Sequence, residues 1–289
     1  MKINFLKMHG LGNDFIMIDD LDNNIDNYKD LSIKLCDRHF GIGADGIILI
    51  KETNKENADF KMRIFNPDGS EAEMCGNGIR CFAHFLHLNN LTDKNKLDID
   101  TLAGIIKPEI IDYGDKISEV RVNMGKPDYS LKSLNIDKSL IDVKEDKLIN
   151  YPLIIDGKKY MINTVSMGNP HTIIYVDDLD KIDLKTIGPI IENNPIFKNK
   201  TNVEFVQIVN KDTIEVKVWE RGAGITLACG TGACAAAAVS IDQNKVNSSI
   251  KVNLPGGQLE ITKTKNNEMM MTGPSTYVFK GEITTGGIK

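Results

Sequence analysis

The stretch ERGAGITLACGTGACAAAA, residues 220–238, contains a pattern that occurs twice in this 289-residue chain. Its extension VKVWERGAGITLACGTGACAAA, residues 216–237, aligns without gaps with MRIFNPDGSEAEMCGNGIRCFA, residues 62–83. Each copy runs from a strand-like segment through a glycine-containing loop to Cys-Gly-x-Gly at the start of a helix. A second pair, GNDFIMIDD from residue 12 and GNPHTIIYVDD from residue 168, recurs at nearly the same interval. The sequence therefore predicts two related halves.

Strand-like segments outnumber helical ones along the chain. Runs such as VEFVQIV and TIEVKVW favour strands, whereas helical patterns cover residues 28–40, 76–89, 179–193 and 230–243. The alanines at 235–238 predict a helix packed closely on several sides, as inside a wrapped sheet, because small side chains let backbones approach. The sequence predicts an α+β fold. We expect the boundary between the halves near Lys126, with the polar segment 130–150 as a surface crossing.

Composition argues against several classes of partner. The net charge is −5 and the sequence pI is about 5.6, and no basic stripe is present, so we expect no nucleic-acid partner. No apolar run approaches the roughly 20 residues needed to cross a bilayer, and the N-terminus lacks an apolar leader, so we expect a cytoplasmic protein that does not bind membranes. The five cysteines are an odd number, which favours reduced thiols over a disulfide framework.

Cys75 and Cys229 stand where their helices are predicted to start. Backbone N–H groups and the positive end of the helix dipole stabilise an anion there, which lowers a thiol pKa. The neighbouring N–H groups could bind a carboxylate; they belong to Gly76, Asn77, Gly230 and Thr231. A lone cysteine at such a position is usually a buried small hydrophobe, but the repeat of Cys-Gly-x-Gly favours a chemical role. The other three cysteines, Cys36, Cys81 and Cys234, are interpreted as packing residues.

Three other patterns are weaker. GIGADG at 41–46 precedes a strand-like IILI, the reverse of the strand–turn–helix order of a dinucleotide site, so no nicotinamide cofactor is predicted. His84 and His87 lie three residues apart on a helix, but no further ligand motif completes a metal site; we expect a plain surface there and no metal. The acids at 177–183 are interpreted as a helix start and a solvated face.

Six segments, in order, carry a family resemblance. They are KMHGLGNDF, FNPDGSEAEMCGNGIRC, MGNPHT, TNVEFVQ, WERGAGITLACGTGACA and MTGPSTYVF. Over nearly its whole length the chain resembles the diaminopimelate epimerases. These enzymes use no cofactor and interconvert LL- and meso-2,6-diaminopimelate in the synthesis of lysine and peptidoglycan precursors.

The resemblance implies a fold and a set of roles. It implies two pseudo-symmetric domains, 1–126 and 127–275, each a mixed sheet around a central helix, with a C-terminal strand at 276–289 returning to the first and the substrate bound between them. Cys75 and Cys229 become the paired acid and base, with His171 and Glu220 as polar neighbours of the chemistry. The four N–H groups at the helix starts become the carboxylate cradle. The groups that hold the amino and distal carboxylate ends are Asn13, Asn66, Asn169, Asn202, Glu220 and Arg221. No cofactor or metal is implied, and a homodimer is expected.

Elementary chemistry agrees with these roles. Inverting an α-carbon needs a base on one face and an acid on the other, so one thiol must be ionised and the other protonated. There are two departures from the family pattern: Gly46 stands where some relatives carry a glutamine that touches substrate, and Ile225 replaces a common acid.

Two alternatives remain open. One is a related racemase acting on proline or hydroxyproline, but such relatives usually carry Cys-Gly-His where this chain has Cys-Gly-Asn. The other is a thiol redox sensor, which would explain neither the asparagines nor MGNPH.

Overall fold

The computed structural model describes residues 2–284, and these residues divide into two compact units. Unit 1 holds residues 2–123 and 272–284, and unit 2 holds Met124–Met271. The boundaries predicted from the sequence follow residues 126 and 275. The division into two functional domains stays a prediction. Residues 285–289 of the predicted returning strand lie outside the described residues.

Unit 1 is a mixed sheet with two helices. The helices are α1 (Tyr28–Cys36) and α2 (Gly76–Leu88). The strands are β1 (Lys2–Gly10), β2 (Asn13–Asp19), β3 (Gly46–Lys51), β4 (Phe60–Phe65), β5 (Glu71–Ala72), β6 (Ile99–Thr101), β7 (Gly104–Ile106), β8 (Pro108–Asp112), β9 (Ile117–Asn123) and β18 (Met269–Thr284), which belongs to this unit from Thr272 onward.

Strand pairing in unit 1 is partly antiparallel and partly parallel. Antiparallel pairs join β1 with β2, β3 with β4, β4 with β5 and β6 with β7, whereas β2 with β3 and β4 with β6 are parallel. β18 lies antiparallel to β1 and also pairs with β9, which pairs with β8. Helix α2 packs against strands from both ends of this order, including β1, β4 and β8. The sheet therefore wraps around α2, which is buried from its first residue to Leu86.

Unit 2 has the same plan. Its helices are α3 (Leu184–Glu192) and α4 (Gly230–Asp242). Its strands are β10 (Tyr151–Ile155), β11 (Lys158–Ser166), β12 (Pro170–Tyr175), β13 (Asn202–Asn210), β14 (Thr213–Glu220), β15 (Gly224–Ile225), β16 (Ser249–Leu254) and β17 (Gly257–Lys263).

The pairing sequence of unit 1 recurs in unit 2. From β11 to β17 the pairs run antiparallel, parallel, antiparallel, antiparallel, parallel and antiparallel, as they do from β1 to β7. Helix α4 packs against β11, β12, β13, β14, β16 and β17. Its alanines at 235–238 are fully buried, which confirms the predicted close packing. The α+β prediction of a mixed sheet around a central helix is confirmed.

Two predicted helices are shorter than expected. α1 ends at Cys36 rather than at residue 40, because Asp37 leaves the helical region and its side chain accepts the N–H groups of His39 and Phe40 in a turn. The segment 179–193, predicted as one helix, contains a short 3-10 helix at Leu179–Lys181 followed by α3. Asp183 caps α3 by accepting from the N–H of Thr186, so the acidic run contains a helix start, as predicted.

The segment 130–150 is not a surface crossing. Leu131, Leu134 and Leu148 are buried in the apolar core of unit 2 together with Phe205 of β13. Polar residues between these leucines hide their spacing in the sequence, and the segment belongs to the unit.

None of the helices within residues 2–284 is long and apolar enough to span a lipid bilayer.

Candidate active site

Cys75 is the N-cap of α2. Its backbone is extended, and its Sγ accepts a hydrogen bond from the N–H of Gly78 at 3.4 Å. The first backbone hydrogen bond of the helix joins Ile79 N to Cys75 O. The N–H of Gly76 therefore lies in the first turn, before the N–H groups that donate to carbonyls within the helix. A cysteine replaces the usual Ser, Thr or Asp cap, which places a thiol where anions are stabilised.

Asn13 and Asn77 lie beside this thiol. Asn13 Oδ1 accepts from Cys75 Sγ at 3.6 Å and from Asn77 Nδ2 at 3.2 Å. Asn77 Oδ1 in turn accepts from Nη2 of Arg80 at 2.9 Å, and the Arg80 side chain, fully buried, also donates to Gly76 O at 3.0 Å. Arg80 therefore braces the first turn of α2.

Asn66, the remaining predicted residue of unit 1, lies in the turn before β5. Its Nδ2 donates to Ser70 Oγ at 2.9 Å, and its backbone N–H donates to Ser70 O at 2.8 Å. The turn fixes the amide, as its Asn-Pro-Asp-Gly sequence favours.

Cys229 repeats the arrangement of Cys75 in unit 2. It is the N-cap of α4, and its Sγ accepts from Gly232 N at 3.4 Å. The hydroxyl of Thr231 lies 3.4 Å from the same sulfur. The two cysteines thus hold equivalent positions in the two halves of the repeat, as the sequence predicted.

The expected lowering of the thiol pKa by the helix start is wrong for Cys229. Burial raises the pKa of this thiol well above its ordinary value, and the carboxylates of Glu220 and Glu204 raise it further. Hydrogen bonds from Thr231 and from the N–H of Gly232 act in the opposite direction but do not outweigh the loss of solvent. Burial at this position therefore favours the protonated form of Cys229.

His171 and Asn169 connect to the thiol of Cys229. His171, fully buried on β12, has Nε2 2.9 Å from Asn169 Oδ1, and Asn169 Nδ2 donates to Thr231 Oγ1 at 3.4 Å. The other ring nitrogen of His171, Nδ1, lies 2.7 Å from Oε1 of Glu204 on β13. Four of the predicted residues are thus brought into one hydrogen-bonded group.

Asn202 and Arg221 form a second group in unit 2. Asn202 Oδ1 accepts from the backbone N–H of Arg221 at 2.8 Å, and its Nδ2 donates to Pro170 O at 2.8 Å. The Arg221 guanidinium is exposed and donates to Asn199 O at 3.1 Å. Glu220, at the end of β14, carries one of the charges that act on Cys229.

Three residues that support these groups were not predicted. Asp45 Oδ2 accepts from Asn13 Nδ2 at 2.8 Å, Arg80 braces α2, and Glu204 holds His171. Arg80 lies inside the repeated segment, so its position could have suggested a role. Glu204 and Asp45 gave no such signal, because one lies within a strand pattern and the other within the rejected GIGADG loop.

The remaining cysteines are packing residues, as predicted. Cys36, Cys81 and Cys234 are all buried, and burial raises the pKa of Cys36 and of Cys81 to about 12 in each case.

His84 does not lie on a plain surface. It is fully buried, with Nδ1 3.1 Å from Ser275 Oγ and Nε2 3.0 Å from Gly114 O, because the sheet packs around this part of α2. His87 is partly exposed and contacts Lys94 O.

The two departures from the family pattern lie in different surroundings. Gly46 opens β3, and a Cβ there would meet the Phe65 carbonyl oxygen at 2.9 Å, so the backbone is packed tightly at this point. Ile225 is 48% exposed on β15. The loop that contains GIGADG leads into a strand, as predicted.

Comparison with known proteins shows one family. The sequence profile described as diaminopimelate epimerase matches residues 5–130 and 163–278. A diaminopimelate epimerase of Halothermothrix orenii is 51% identical over 288 residues, covering 98% of each chain. One of Carboxydothermus hydrogenoformans is 50% identical over 281 residues, covering 96% of this chain and 98% of that protein.

Solved structures share the fold at low identity. A Bacillus anthracis phenazine biosynthesis protein of the PhzF family aligns with a TM-score of 0.70 and 17% identity, over 98% of this chain and 99% of that one. A probable proline racemase of Agrobacterium radiobacter aligns with a TM-score of 0.70 and 13% identity, over 98% and 93%. At such low sequence identities the structural similarity supports a shared fold and no shared activity.

Proposed function

The chain belongs to the diaminopimelate epimerase family, and we propose that it interconverts LL- and meso-2,6-diaminopimelate by inverting one α-carbon. It is an isomerase acting on a small-molecule substrate. The observation that carries the proposal is the repeated cap: Cys75 and Cys229 occupy the same position at the starts of two equivalent central helices.

The two thiols would share one proton. A thiolate removes the α-hydrogen from one face of the substrate, and the other thiol delivers a proton to the opposite face, so the sulfur that starts ionised ends protonated. Burial raises the pKa of Cys229, which favours the protonated form of this thiol before the substrate binds. That both thiols act on one substrate carbon remains a prediction from the sequence.

The helix starts would stabilise the intermediate. Removing the α-hydrogen leaves negative charge that spreads into the neighbouring carboxylate, and backbone N–H groups at a helix start are oriented to receive it. We assign this role to the N–H groups of Gly76, Asn77, Gly230 and Thr231. Charge stabilisation of this kind supplies what a cofactor would otherwise provide, so the reaction is proposed to need none.

The remaining polar residues would hold the two ends of the substrate. Arg221 is the natural partner of the distal carboxylate, because a guanidinium can donate two parallel hydrogen bonds. Asn202 supports this role by fixing the backbone of Arg221. Amide groups suited to the amino and carboxylate ends are those of Asn13, Asn66, Asn169 and Asn202, with Glu220 near the Cys229 thiol.

The experiment measures proton exchange and inversion separately. The purified parent protein is expected to convert LL- to meso-diaminopimelate, and Cys75→Ala and Cys229→Ala are each expected to lose net inversion by on the order of 10²–10⁴-fold. In deuterated water each variant should retain α-hydrogen exchange for one isomer only, and the two variants should prefer opposite isomers. Chiral chromatography and mass spectrometry measure both quantities.

Cys234→Ala is the matched control. It removes a buried thiol from α4 and should leave both inversion and exchange close to the parent values. Inversion near the parent rate in either site variant, or exchange of the same isomer in both, would contradict the two-thiol mechanism. Inversion of L-proline instead of diaminopimelate would favour the racemase alternative, whose fold is the same.

We also propose that the protein works in the cytoplasm as a homodimer. Both proposals rest on the family resemblance, and light scattering of the purified protein tests the second.

A further inference from the structure

Glu204 is a buried carboxylate that the proposed reaction does not yet use. It lies on β13 and is fully buried, and its Oε1 is 2.7 Å from Nδ1 of His171 on the neighbouring parallel strand β12. The same Oε1 lies under the first turn of α4, where a Cβ on Gly232 would meet it at 2.6 Å and Cys229 Sγ at 3.3 Å. Glu204 therefore lies close to both His171 and the cap of α4.

A continuous series of contacts links Glu204 to the thiol. It runs from Glu204 Oε1 to His171, from His171 Nε2 to Asn169 Oδ1 at 2.9 Å, from Asn169 Nδ2 to Thr231 Oγ1 at 3.4 Å, and from Thr231 Oγ1 to Cys229 Sγ at 3.4 Å. We call these five residues the Glu204 chain. Every member is in unit 2, so the contacts reach one of the two thiols.

Burial of the Glu204 carboxylate in this position destabilises the fold. Within residues 2–284, Oε2 of Glu204 has no hydrogen-bond partner. A buried carboxylate with an unpartnered oxygen destabilises a fold, and it is retained where another role requires it. The ionisable groups near it are His171 and Cys229, and Glu220 acts on the same thiol.

We propose that Glu204 is a positioning residue for Cys229 in the proposed reaction. Its carboxylate accepts from Nδ1–H of His171, which fixes the ring and directs Nε2 to Asn169, and Asn169 and Thr231 then hold the Cys229 thiol in place. The carboxylate of Glu204 and the amide oxygen of Asn169 can only accept, so both ring nitrogens of His171 donate, Nδ1–H to Glu204 and Nε2–H to Asn169. The inference rests on the proposed function, because the thiol that Glu204 positions is the one assigned to the substrate.

The first test observes His171 directly. In the parent protein labelled with ¹⁵N-histidine, Nδ1 of His171 is expected to carry a proton with a strongly downfield resonance, because it is bonded to a carboxylate. Glu204→Gln keeps the shape but replaces the carboxylate with a neutral amide, so this resonance should move upfield. A parent ring with an unprotonated Nδ1, or an unchanged resonance in the variant, would overturn the proposal.

The second test separates the two thiols. In Cys75→Ala the remaining exchange of the substrate α-hydrogen depends on Cys229, and adding Glu204→Gln should slow it on the order of tenfold, less than loss of the acid or base itself. In Cys229→Ala the exchange depends on Cys75, and adding Glu204→Gln should leave the exchange rate unchanged. Equal slowing in both backgrounds would mean that Glu204 only supports the fold, and no slowing in either would also overturn the proposal.

A matched control uses another buried glutamate. Glu192 accepts from Trp219 Nε1 at 2.7 Å and from Gly222 N at 3.1 Å, outside the Glu204 chain, so Glu192→Gln should leave the His171 resonance unchanged. Should Glu204→Gln fail to fold, the resonance of the parent still decides whether Nδ1 donates to Glu204. Lack of diaminopimelate inversion by the parent would refute the proposed function, whereas inversion with an unchanged exchange pattern would refute the role of Glu204 alone.

Discussion

Asn13 is held in place by a cluster of four charged side chains. Its Nδ2 donates to Asp45, while Nη2 of Arg38 donates to Asp45 at 2.8 Å and to Asp14 at 2.7 Å. Lys7 of β1 forms an ion pair with Asp14 at 2.6 Å and also donates to a loop carbonyl. The amide beside the unit 1 thiol therefore depends on charges that acid can remove.

Ionisation of the Asp14 carboxyl group should make the free energy of unfolding depend on pH. Partial burial alone would raise the pKa of Asp14, but hydrogen bonds from Arg38 and Lys7 outweigh it and lower that pKa to about 2. Since an aspartate in an unfolded chain has a pKa of about 3.9, the ionised form stabilises the fold above about pH 4, and this stabilisation is lost as the pH falls towards about 2. Asp14→Asn should therefore reduce the free energy of unfolding at pH 7 and bring it close to the parent value near pH 2.

Urea unfolding at a series of pH values measures this difference. Asp22→Asn, at an exposed position of the same unit, is the control and should show a much smaller difference from the parent. A deficit for Asp14→Asn that is the same at pH 7 and pH 2 would show that the carboxylate charge is not its cause.

At the scale of elements, the two capped helices differ in what lies beneath their third residue. A methyl group on Gly78 of α2 would meet Ile48 Cδ1 at 2.8 Å, the far end of a flexible side chain. A methyl group on Gly232 of α4 would meet Glu204 Oε1 at 2.6 Å, and this oxygen is fixed by His171. The same substitution should therefore have different effects in the two helices.

Gly232→Ala should reduce diaminopimelate inversion much more than Gly78→Ala. Alanine favours a helix over glycine by about 1 kcal/mol, which offsets part of the steric cost at both positions. At Gly78 the Ile48 side chain can rotate away, whereas at Gly232 the methyl group must displace Glu204 from its hydrogen bond. Catalytic efficiency and thermal unfolding of the two variants measure the effect, and equal losses of activity would contradict it.

The sequence predicts the starts of these two helices to the residue. Residues 76–89 and 230–243 were expected to be helical, and α2 spans Gly76–Leu88 and α4 spans Gly230–Asp242. Caps and glycines act locally, so they can be read from neighbouring residues. The repeat also implied that one half would fold like the other, and the pairing order agrees.

Burial of polar residues could not be predicted in the same way. His84 lies on a helix that a sheet surrounds, and its partners Ser275 and Gly114 are 191 and 30 residues away in the sequence. Glu204 sits in VEFVQIV, where alternation alone would turn a glutamate towards solvent, yet α4 covers it. Such positions depend on contacts between distant segments, which a local pattern does not contain.

At the scale of the whole molecule, each unit has a buried serine that links its central helix to its sheet. Ser275 of β18 lies 3.1 Å from His84 of α2 in unit 1, and Ser240 of α4 lies 3.0 Å from the hydroxyl of Tyr175 of β12 in unit 2. Both serines are fully buried. Ser275 lies on β18, which pairs with β1, so this contact joins α2 to a strand that is distant in the sequence.

Removing each serine hydroxyl should loosen its own unit. Burial lowers the pKa of His84, which favours the neutral ring; a carbonyl can only accept, so Nε2–H donates to Gly114 O and Nδ1 is left to accept from Ser275. Ser275→Ala leaves that buried acceptor unpaired at a cost of about 1–3 kcal/mol. Amide hydrogen exchange should then accelerate in α2 and β1, because local stability is lost where the contact is lost. Ser240→Ala is the matched variant and should accelerate exchange in α4 and β12 instead. Mass spectrometry of peptides from both units measures the pattern, and equal acceleration in both units by either variant would mean that the chain opens as a single cooperative structure.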